Sequence, residues 1–528
     1  MFNLECDVNI AFFNLNFDGS QFIKWLITES GLEVRNDSYF TPKGTIKILE
    51  SERRLYSIEI RGFNGRLITM IDIANFLVGV TLNKACEDWL NDKKVEIESK
   101  QFLKEPATPL EKEYAIKDAE LTYRLYLEVC DKGVIEGHKS ITIAGRTIKH
   151  FKEFMGNEYS LKFYDFFYKN ADPETIKEIK ADFENEIRSG VRGGICEAWH
   201  KGVFDNCTHI DACSMYPTQC IKPLIPIGGL LIDKPNSAYT KIVYPSGFYT
   251  LKEGKVPNMQ WRSKSQCRAY HFISEYEAGE FVSDFYLDGT YPIWLDEYEL
   301  IKRTYDVYQE DIEKEYYIEM ANNSVLANYV KMLYEGKQNN SGSKRLYYKY
   351  LLNALYGKFL SRPDGLSIDY VFDGDSWHRI KVNTEKNTYY LPLGSWIAMS
   401  GRVSLINAIH SINESDFLYC DTDSIIFKGS KMPKVNIGNY LGDWSIEQED
   451  VKVNVVGAKT YQELTTKGKL ITKCGGLPTT EKSKLEWLQL QEGLTVETHK
   501  PKRDKDSWAI NIEDVTYTIN TRANTWLR

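Results

Sequence analysis

The residues with the clearest chemical capacity are Asp421 and Asp423, in Phe417-Leu-Tyr-Cys-Asp-Thr-Asp-Ser-Ile-Ile-Phe427. Apolar runs flank the two acids, the pattern of a β-hairpin with carboxylates at its turn. Hard cations such as Mg²⁺ take oxygen ligands and bridge protein carboxylates to substrate phosphates. Alone, an Asp-x-Asp pair is equally well a solvated turn. A third acid, Asp211, ends the run His209-Ile210-Asp211 and precedes Ala-Cys-Ser214-Met-Tyr216-Pro217. Pro217 is expected to stop that strand, because proline offers no ladder donor. One aspartate at a strand end and two at a hairpin turn are the minimum for two-metal phosphoryl transfer. One ion would activate a hydroxyl nucleophile, and both would clamp an in-line displacement.

Such a site needs groups that hold the phosphates. Leu346, Tyr350, Leu351 and Leu355 recur at helical spacing. Lys349, Asn353 and Tyr356 fall at i, i+4 and i+7, so they share one face of that helix. A lysine there can bind a triphosphate as a point charge. Arg345 extends the basic row by one turn. Lys337 lies beyond the polar break Gln338-Asn-Asn-Ser-Gly-Ser343. Two helices joined at that tip would carry these cations to the same phosphates. The plain alternative is a solvated basic face; the adjacent Asn353-x-x-Tyr356-Gly357 argues against it.

Together these stretches resemble the family B DNA polymerases. Asp211-x-x-Ser-Met-Tyr216-Pro is similar to the first palm motif, and Lys349-x-x-x-Asn353-Ala-Leu-Tyr356-Gly to the fingers motif. Tyr419-Cys-Asp421-Thr-Asp423-Ser is similar to the second palm motif. Lys459-Thr-Tyr461 is similar to the element that steadies the primer end. The resemblance implies that Asp211 and Asp423 hold the metals with Asp421 assisting, Mg²⁺ being the ion and Mn²⁺ a substitute. It implies that Lys337, Arg345 and Lys349 bind the dNTP, and that Asn353 and Tyr356 line the nascent pair. It also implies that Tyr216 stacks under the sugar and excludes a ribose 2′-hydroxyl.

The match sharpens to the protein-primed branch, used by small bacteriophages with linear genomes. That branch carries two terminal-protein-region insertions. The segment before Lys337 looks like the first, which in the family contacts the terminal protein. It includes Trp294-Leu-Asp-Glu-Tyr-Glu-Leu-Ile-Lys-Arg-Thr-Tyr305, with amphipathic helix spacing. Ser361 to Leu393 looks like the second. Its runs Ile368–Phe372 and Thr388–Leu391 predict a β-hairpin, which in the family closes a tunnel on DNA and supports strand displacement.

The N-terminal part resembles the family's 3′→5′ exonuclease domain incompletely. Asn14-Leu-Asn-Phe-Asp18-Gly is similar to the second exonuclease motif, and Tyr114-Ala-Ile-Lys-Asp118 to the third. Lys94-Val-Glu-Ile resembles the auxiliary lysine motif. Asp18 and Asp118 would be metal ligands and Tyr114 would orient the attacking water. The first motif, an Asp-x-Glu well upstream, has no counterpart. Glu5-Cys-Asp7 has the acids in the wrong order and reads as a surface pair. The expectation is a truncated domain with impaired hydrolysis and an unpaired sheet edge. The family's Tyr-x-Gly-Gly linker reads Val191-Arg192-Gly193-Gly194. The glycines that allow close approach to DNA remain; the aromatic does not.

The composition fits a large soluble multidomain protein, with 42% hydrophobic and 27% charged residues in 528. No apolar run is long enough to span a bilayer; Ile71 to Leu82 contains Asp72 and Asn75. The ten cysteines form no Cys-x-x-Cys, which argues against zinc ribbons and disulfide scaffolds. A reducing cytoplasm, the host's for a viral protein, is the expected compartment. The net charge of −8 weighs against a nucleic-acid binder unless a local basic groove overrides it. Lys331, Lys337, Lys344, Arg345 and Lys349 supply one such patch; Lys500, Lys502, Arg503 and Lys505 supply another.

The expected fold is α/β and α+β multidomain: a partial RNase H-like exonuclease domain plus a right-hand polymerase. Its parts are a partial exonuclease (1–150), first palm segment (151–222), first insertion (223–324), fingers (325–360), second insertion (361–393), second palm segment (394–474) and thumb (475–528). The thumb is expected as a helix from Lys482 to Gln491, a basic turn, and a strand from Val515 to Ile519. The expected activity is DNA-templated DNA synthesis by a monomer, from primer–template DNA, dNTPs and a terminal protein, away from membranes. The rival from another class is an inactive DNA- or terminal-protein-binding remnant.

Overall fold

The computed structural model describes residues 5–29, 33–35, 44–51, 54–61, 65–96, 108–131, 141–155, 185–231, 234–260, 270–272, 281–361, 364–385, 390–504 and 507–519. The chain divides into two compact units. One comprises Met1–Phe163, Lys331–Tyr389 and Lys500–Glu513; the other comprises Tyr164–Val330, Tyr390–His499 and Asp514–Arg528. Among the described residues, no helix is long and apolar enough to cross a membrane.

In the second unit an antiparallel sheet carries all three predicted acids. Its strand order is Leu470–Cys474, Thr460–Leu464, Trp444–Gly457, Gly202–Ala212, Ser424–Lys428, Phe417–Asp421, Cys196–Ala198. The central strands are almost continuously apolar because both faces are covered. On one face Ile210, Phe417, Cys420, Ile425 and Phe427 cluster with Leu405, Ile406 and Ile409 of helix Leu391–Ile409. That helix is apolar nearly all round, as a core helix must be. On the other face Cys207, Tyr419, Ile426, Val453 and Tyr461 form a second cluster.

Pro217 does not end the Asp211 strand. The strand stops at Ala212, Ser214 turns the chain at φ 67°, and Met215 opens the short helix Met215–Gln219. Pro217 lies in that helix's first turn, where a backbone N–H has no intrahelical partner to lose.

The segment expected as the first insertion is a β module. Strands Leu224–Leu231, Tyr239–Leu251, Tyr270–Phe272, Asp284–Asp288 and Tyr305–Asn322 make its sheet, and Ile293–Trp294 pairs with Tyr239–Leu251. The helical spacing from Trp294 to Tyr305 is realised as Leu295–Thr304. Its core holds Tyr249, Phe285, Leu287, Tyr298 and Tyr305.

The first unit contains a mixed sheet ordered Val8–Phe12, Leu67–Asp72, Arg54–Arg61, Gly44–Ser51, Asp364–Phe372, Trp377–Glu385, Val34–Arg35. The second-insertion hairpin therefore pairs Asp364–Phe372 with Trp377–Glu385, not with Thr388–Leu391. Thr388 and Tyr389 lie outside the described residues, and Leu391 begins a helix whose first turn contains Pro392. The turn explains the earlier return. Asp373 accepts from the N–H groups of Asp375 and Ser376, and Gly374 supplies φ 113°. Nor is the hairpin a separate body. Ile368–Phe372 pairs with Gly44–Ile48, and Tyr370 and Trp377 share a core with Leu15, Ile46 and Ile58. Trp508 completes that core, its Nε1–H donating to Tyr370 Oη at 3.2 Å. Among the described residues Val8–Phe12 is an edge strand, paired only with Leu67–Asp72. Asp7 caps the Leu67 N–H at 3.0 Å, a surface role.

The expected helix from Lys482 to Gln491 is absent. One turn, Thr479–Lys482, is followed by irregular chain. Side chains of the central sheet replace the helical bonds. Gln462 donates to Glu486 O at 2.8 Å and accepts from Leu488 N at 3.0 Å, and Asn454 donates to Leu490 O at 3.0 Å. Leu488 sits at φ 67°, outside helical space. The expected Val515–Ile519 strand is Ile510–Thr518, paired with Thr495–Arg503.

Candidate active site

The three acids lie at one end of neighbouring strands of the central sheet. Asp421 pairs with Ser424, and Ser424 pairs with Asp211 on the next strand. Paired residues point to the same face, so the Asp211 and Asp421 side chains flank Ser424 in one row. Two strand spacings separate their backbones by about 10 Å, leaving room for ions between the carboxylates. Asp423 lies in the turn between the strands, and its carbonyl accepts from Ala212 N at 2.7 Å. That bond ties the turn directly to the Asp211 strand.

The turn itself is unusual. Asp423 N donates to Asp421 O at 2.6 Å across Thr422, which sits at φ 60°. This is the pattern of a γ-turn with positive φ, which is rare and strained. A β-branched residue at positive φ persists only where its surroundings over-determine it. Here Thr422 N donates to Ile195 O at 2.6 Å, and the Thr422 side chain fills the space beside Gly194. A Cβ on Gly194 would stand 2.5 Å from Thr422 Oγ1. Gly194 is thus required by the acid-bearing turn.

Lys459 Nζ reaches both oxygens of Asp421, at 2.5 and 2.6 Å. Burial pulls the Lys459 ammonium down, but its bonds to Asp421 outweigh this and hold it above the usual lysine range. The ammonium stands where a cation would, which shows that the donor set suits positive charge. Among the described residues no group of three or more His, Cys, Asp or Glu side chains is placed to hold a metal ion by itself. Mg²⁺ needs only one or two carboxylates when phosphates and waters complete its shell, so the residues fit such an ion. Tyr461 packs on Tyr419 with ring centroids 5.0 Å apart, and the Tyr419 hydroxyl accepts from Lys459 N at 3.2 Å. Tyr216 is half-buried, its ring lying against Gly401, where a Cβ would meet it at 3.0 Å.

A buried triad braces the loop behind the turn. Glu297 bonds Arg402 through both oxygens, at 2.9 and 2.8 Å, and lies 2.6 Å from the Arg192 guanidinium. Arg402 also donates to the carbonyls of Arg192 and Gly193. All three side chains are almost fully buried. Burial would push the Glu297 carboxyl up; the two guanidiniums overcome this and hold it well below the usual range. Neither Glu297 nor Arg402 was singled out from sequence. The available signals were an acid in register with Leu300 and Ile301 on an apolar stripe, and a lone charge within an apolar helix.

In the first unit the phosphate-binding candidates lie on helix Gly342–Phe359. Arg345, Lys349 and Asn353 are exposed on one side; Tyr347, Leu351, Leu352, Leu355 and Phe359 are buried on the other. Leu346, read as part of the apolar face, is exposed, and Tyr347 takes that place. Tyr347 is held by Arg146 at 3.2 Å and by the edge of Trp89. Tyr356 is half-buried. Lys337 ends helix Ser324–Gln338, over the Tyr334 ring, and its carbonyl accepts from Arg345 at 3.2 Å.

The exonuclease-like residues are brought together in part. Lys94 Nζ lies 2.5 Å from the Tyr114 hydroxyl and 2.7 Å from Asp118. Asp118 Oδ1 is buried without a hydrogen bond. Asn14 takes φ 86° and its N–H donates to Asp72 at 2.9 Å, which opens the helix carrying Asp18. Asp18 is exposed.

The chain resembles DNA polymerases along most of its length. The profile of DNA polymerase type B, organellar and viral, matches residues 82–440. The DNA polymerase of Bacillus phage B103 is 24% identical over 554 residues, covering 98% of this chain and 91% of that protein. That of Bacillus phage phi29 is 23% identical over 558 residues with the same coverage. A structure of Phi29 DNA polymerase complexed with primer-template DNA and incoming nucleotides superposes with a TM-score of 0.79 at 21% identity. It covers 97% of this chain and 91% of that one. The chain belongs to the type B DNA polymerases of the organellar and viral family, and within them to the protein-primed branch: it is a DNA-directed DNA polymerase.

Proposed function

We propose that Asp211, Asp421 and Asp423 form the two-metal centre for nucleotidyl transfer from dNTPs to a primer 3′ end. The observation that carries this reading is the Ala212–Asp423 backbone bond, which joins the Asp211 strand to the strained Asp421–Asp423 turn. Asp211, Asp421 and Asp423 would hold Mg²⁺ or Mn²⁺, which would supply activation of the 3′-hydroxyl and charge neutralisation at the leaving pyrophosphate. Lys459 moves off Asp421 to the primer strand, and Tyr461 holds the primer end beside it. Lys337, Arg345 and Lys349 bind the triphosphate, while Asn353 and Tyr356 border the nascent pair. Positioning and charge account for most of phosphoryl-transfer catalysis, so these groups suffice.

Tyr216 acts as the sugar gate, its ring backed by Gly401. Tyr216→Val is expected to weaken discrimination against ribonucleotides by about 100-fold, the scale of a steric pocket contact. Competitive incorporation of dNTP and rNTP reads this, and unchanged selectivity would refute the gate.

The first insertion presents an aromatic row to solvent. Phe248 pairs with Tyr286 and Tyr308 on flanking strands, and Phe248 and Tyr308 are 41% and 56% exposed. Asp284, Asp306 and Asp311 rim the row. Acids disfavour DNA phosphates there and favour a protein with basic groups, in keeping with a terminal protein. Tyr308→Ala is expected to lower terminal-protein-primed initiation about 30-fold, as for an interface aromatic, with DNA-primed extension unchanged. Equal loss of both activities would remove the row from partner binding.

The insertion hairpin assists strand displacement. The exonuclease-like site hydrolyses poorly, because Lys94 neutralises Asp118. A 5′-labelled primer–template with Mg²⁺, with and without dNTPs, tests the whole reading. Elongation with dNTPs and an intact primer without them is expected. Rapid shortening without dNTPs would contradict the impaired exonuclease, and binding without elongation would favour an inactive remnant.

A further inference from the structure

Beneath Tyr461 lies a buried polar pair distinct from the acids and cations proposed to hold metal and nucleotide. His209 Nδ1 and Glu463 Oε1 are 2.7 Å apart, and both side chains are nearly sealed from solvent. They come from strands that are not neighbours: Trp444–Gly457 runs between Gly202–Ala212 and Thr460–Leu464. The pair can meet because the middle strand bulges. Its register shifts around Gln448 and Val451, with Asp450 at φ 52°. An apolar pair would fill the same space without the desolvation cost of a buried carboxylate.

Two contacts point to what the pair does. The His209 ring meets Tyr461 edge-on, with centroids 6.2 Å apart and planes at 85°. Its Nε2 is buried and makes no hydrogen bond, so the ring is oriented by Glu463 and Tyr461. Tyr461 continues through Tyr419 to Lys459 and Asp421. His209 also stands two residues before Asp211 on the same strand, so both face the same side of the sheet. The pair thus links the Asp211 strand to the strand that carries Tyr461, across the strand between them.

We propose that His209 and Glu463 are positioning residues that set Tyr461 at the primer 3′ end by holding these two strands at one spacing. This rests on the reading of Lys459 and Tyr461 as the primer grip. The variants that test it are His209→Phe, which keeps the ring edge and loses the Nδ1 bond, Glu463→Leu, and the two together. Single-nucleotide addition gives KM for primer–template, KM for dNTP and kcat, with melting temperature measured in parallel. Each single change is expected to raise the primer–template KM about tenfold and to lower the melting temperature. The double change, which leaves no unpaired buried charge, is expected to regain the melting temperature and keep the raised KM. In every variant dNTP KM and saturated kcat stay within about twofold. A double variant with the parental primer–template KM would make the pair a core filler and overturn the proposal. So would a shift in dNTP KM with primer–template KM unmoved. A Tyr461→Ala protein with the parental primer–template KM would instead sink the primer-grip reading on which the proposal rests, and the proposal with it.

Discussion

Asp423→Asn lowers single-nucleotide addition by about a thousandfold and leaves primer–template affinity within about twofold. The substitution keeps size and turn-forming capacity but removes the charge that would hold a divalent ion. Metal stabilisation of a phosphoryl-transfer transition state amounts to several kcal/mol, and each 1.36 kcal/mol is about tenfold in rate. Binding survives because phosphate contacts elsewhere carry most DNA affinity. The strained γ-turn makes the carboxylate's direction matter as well as its presence. Thr422 is pinned between Ile195 and Gly194, so Asp421 and Asp423 leave the turn at a set angle. Rapid-quench addition of one dNTP, beside a filter-binding titration, reads both quantities. An Asp423→Asn enzyme that still adds nucleotides within about tenfold of the parent would remove Asp423 from the metal centre.

Glu297→Ala costs about 4 kcal/mol of stability, near the top of the range for single changes. It strands the Arg192 and Arg402 guanidiniums in the interior, and breaking a buried ion pair from one side costs roughly 3–5 kcal/mol. The loop holding Gly193 and Gly194 loses its brace at the same time, so extension falls with stability. Replacing all three charges together, Arg192→Met with Glu297→Leu and Arg402→Met, is expected to regain much of the stability. Urea denaturation reads the effect, and a loss below about 1 kcal/mol for Glu297→Ala would show that the triad is not a structural brace. The pH dependence follows from the sign of the shift. The Glu297 carboxyl is held down in the folded state, to about 2 against an ordinary 4.5. Its contribution is complete above the unfolded value and is lost only as pH falls through the folded one. Stability supplied by the triad is therefore flat across the neutral range.

The parts legible from sequence were those whose chemistry is packed into short segments. Asp421-Thr-Asp423, Asp211 through Tyr216, and Lys349 through Tyr356 each declare a local element within about ten residues. Long-range arrangements left much weaker marks. Arg192, Glu297 and Arg402 carry no shared motif, yet they meet in one buried cluster. Nothing local in Ile368–Phe372 announces that it pairs with Gly44–Ile48. The predicted helix from Lys482 to Gln491 failed for the same reason. Its backbone is captured by Gln462 and Asn454, tertiary partners that propensity does not register. The hairpin's second strand follows directly on the Asp373-Gly-Asp-Ser376 turn, a short polar signal beside the stronger β propensity of Thr388 to Leu391.

The most direct test of the metal centre counts ions. Mn²⁺ binding is titrated by electron paramagnetic resonance with a dideoxy-terminated primer–template and the correct dNTP, for the parent, Asp211→Asn and Asp423→Asn. Two ions bound by the parent, and at least one lost in each variant, is the predicted result. The same number of ions in all three proteins would contradict a two-metal centre built on Asp211 and Asp423.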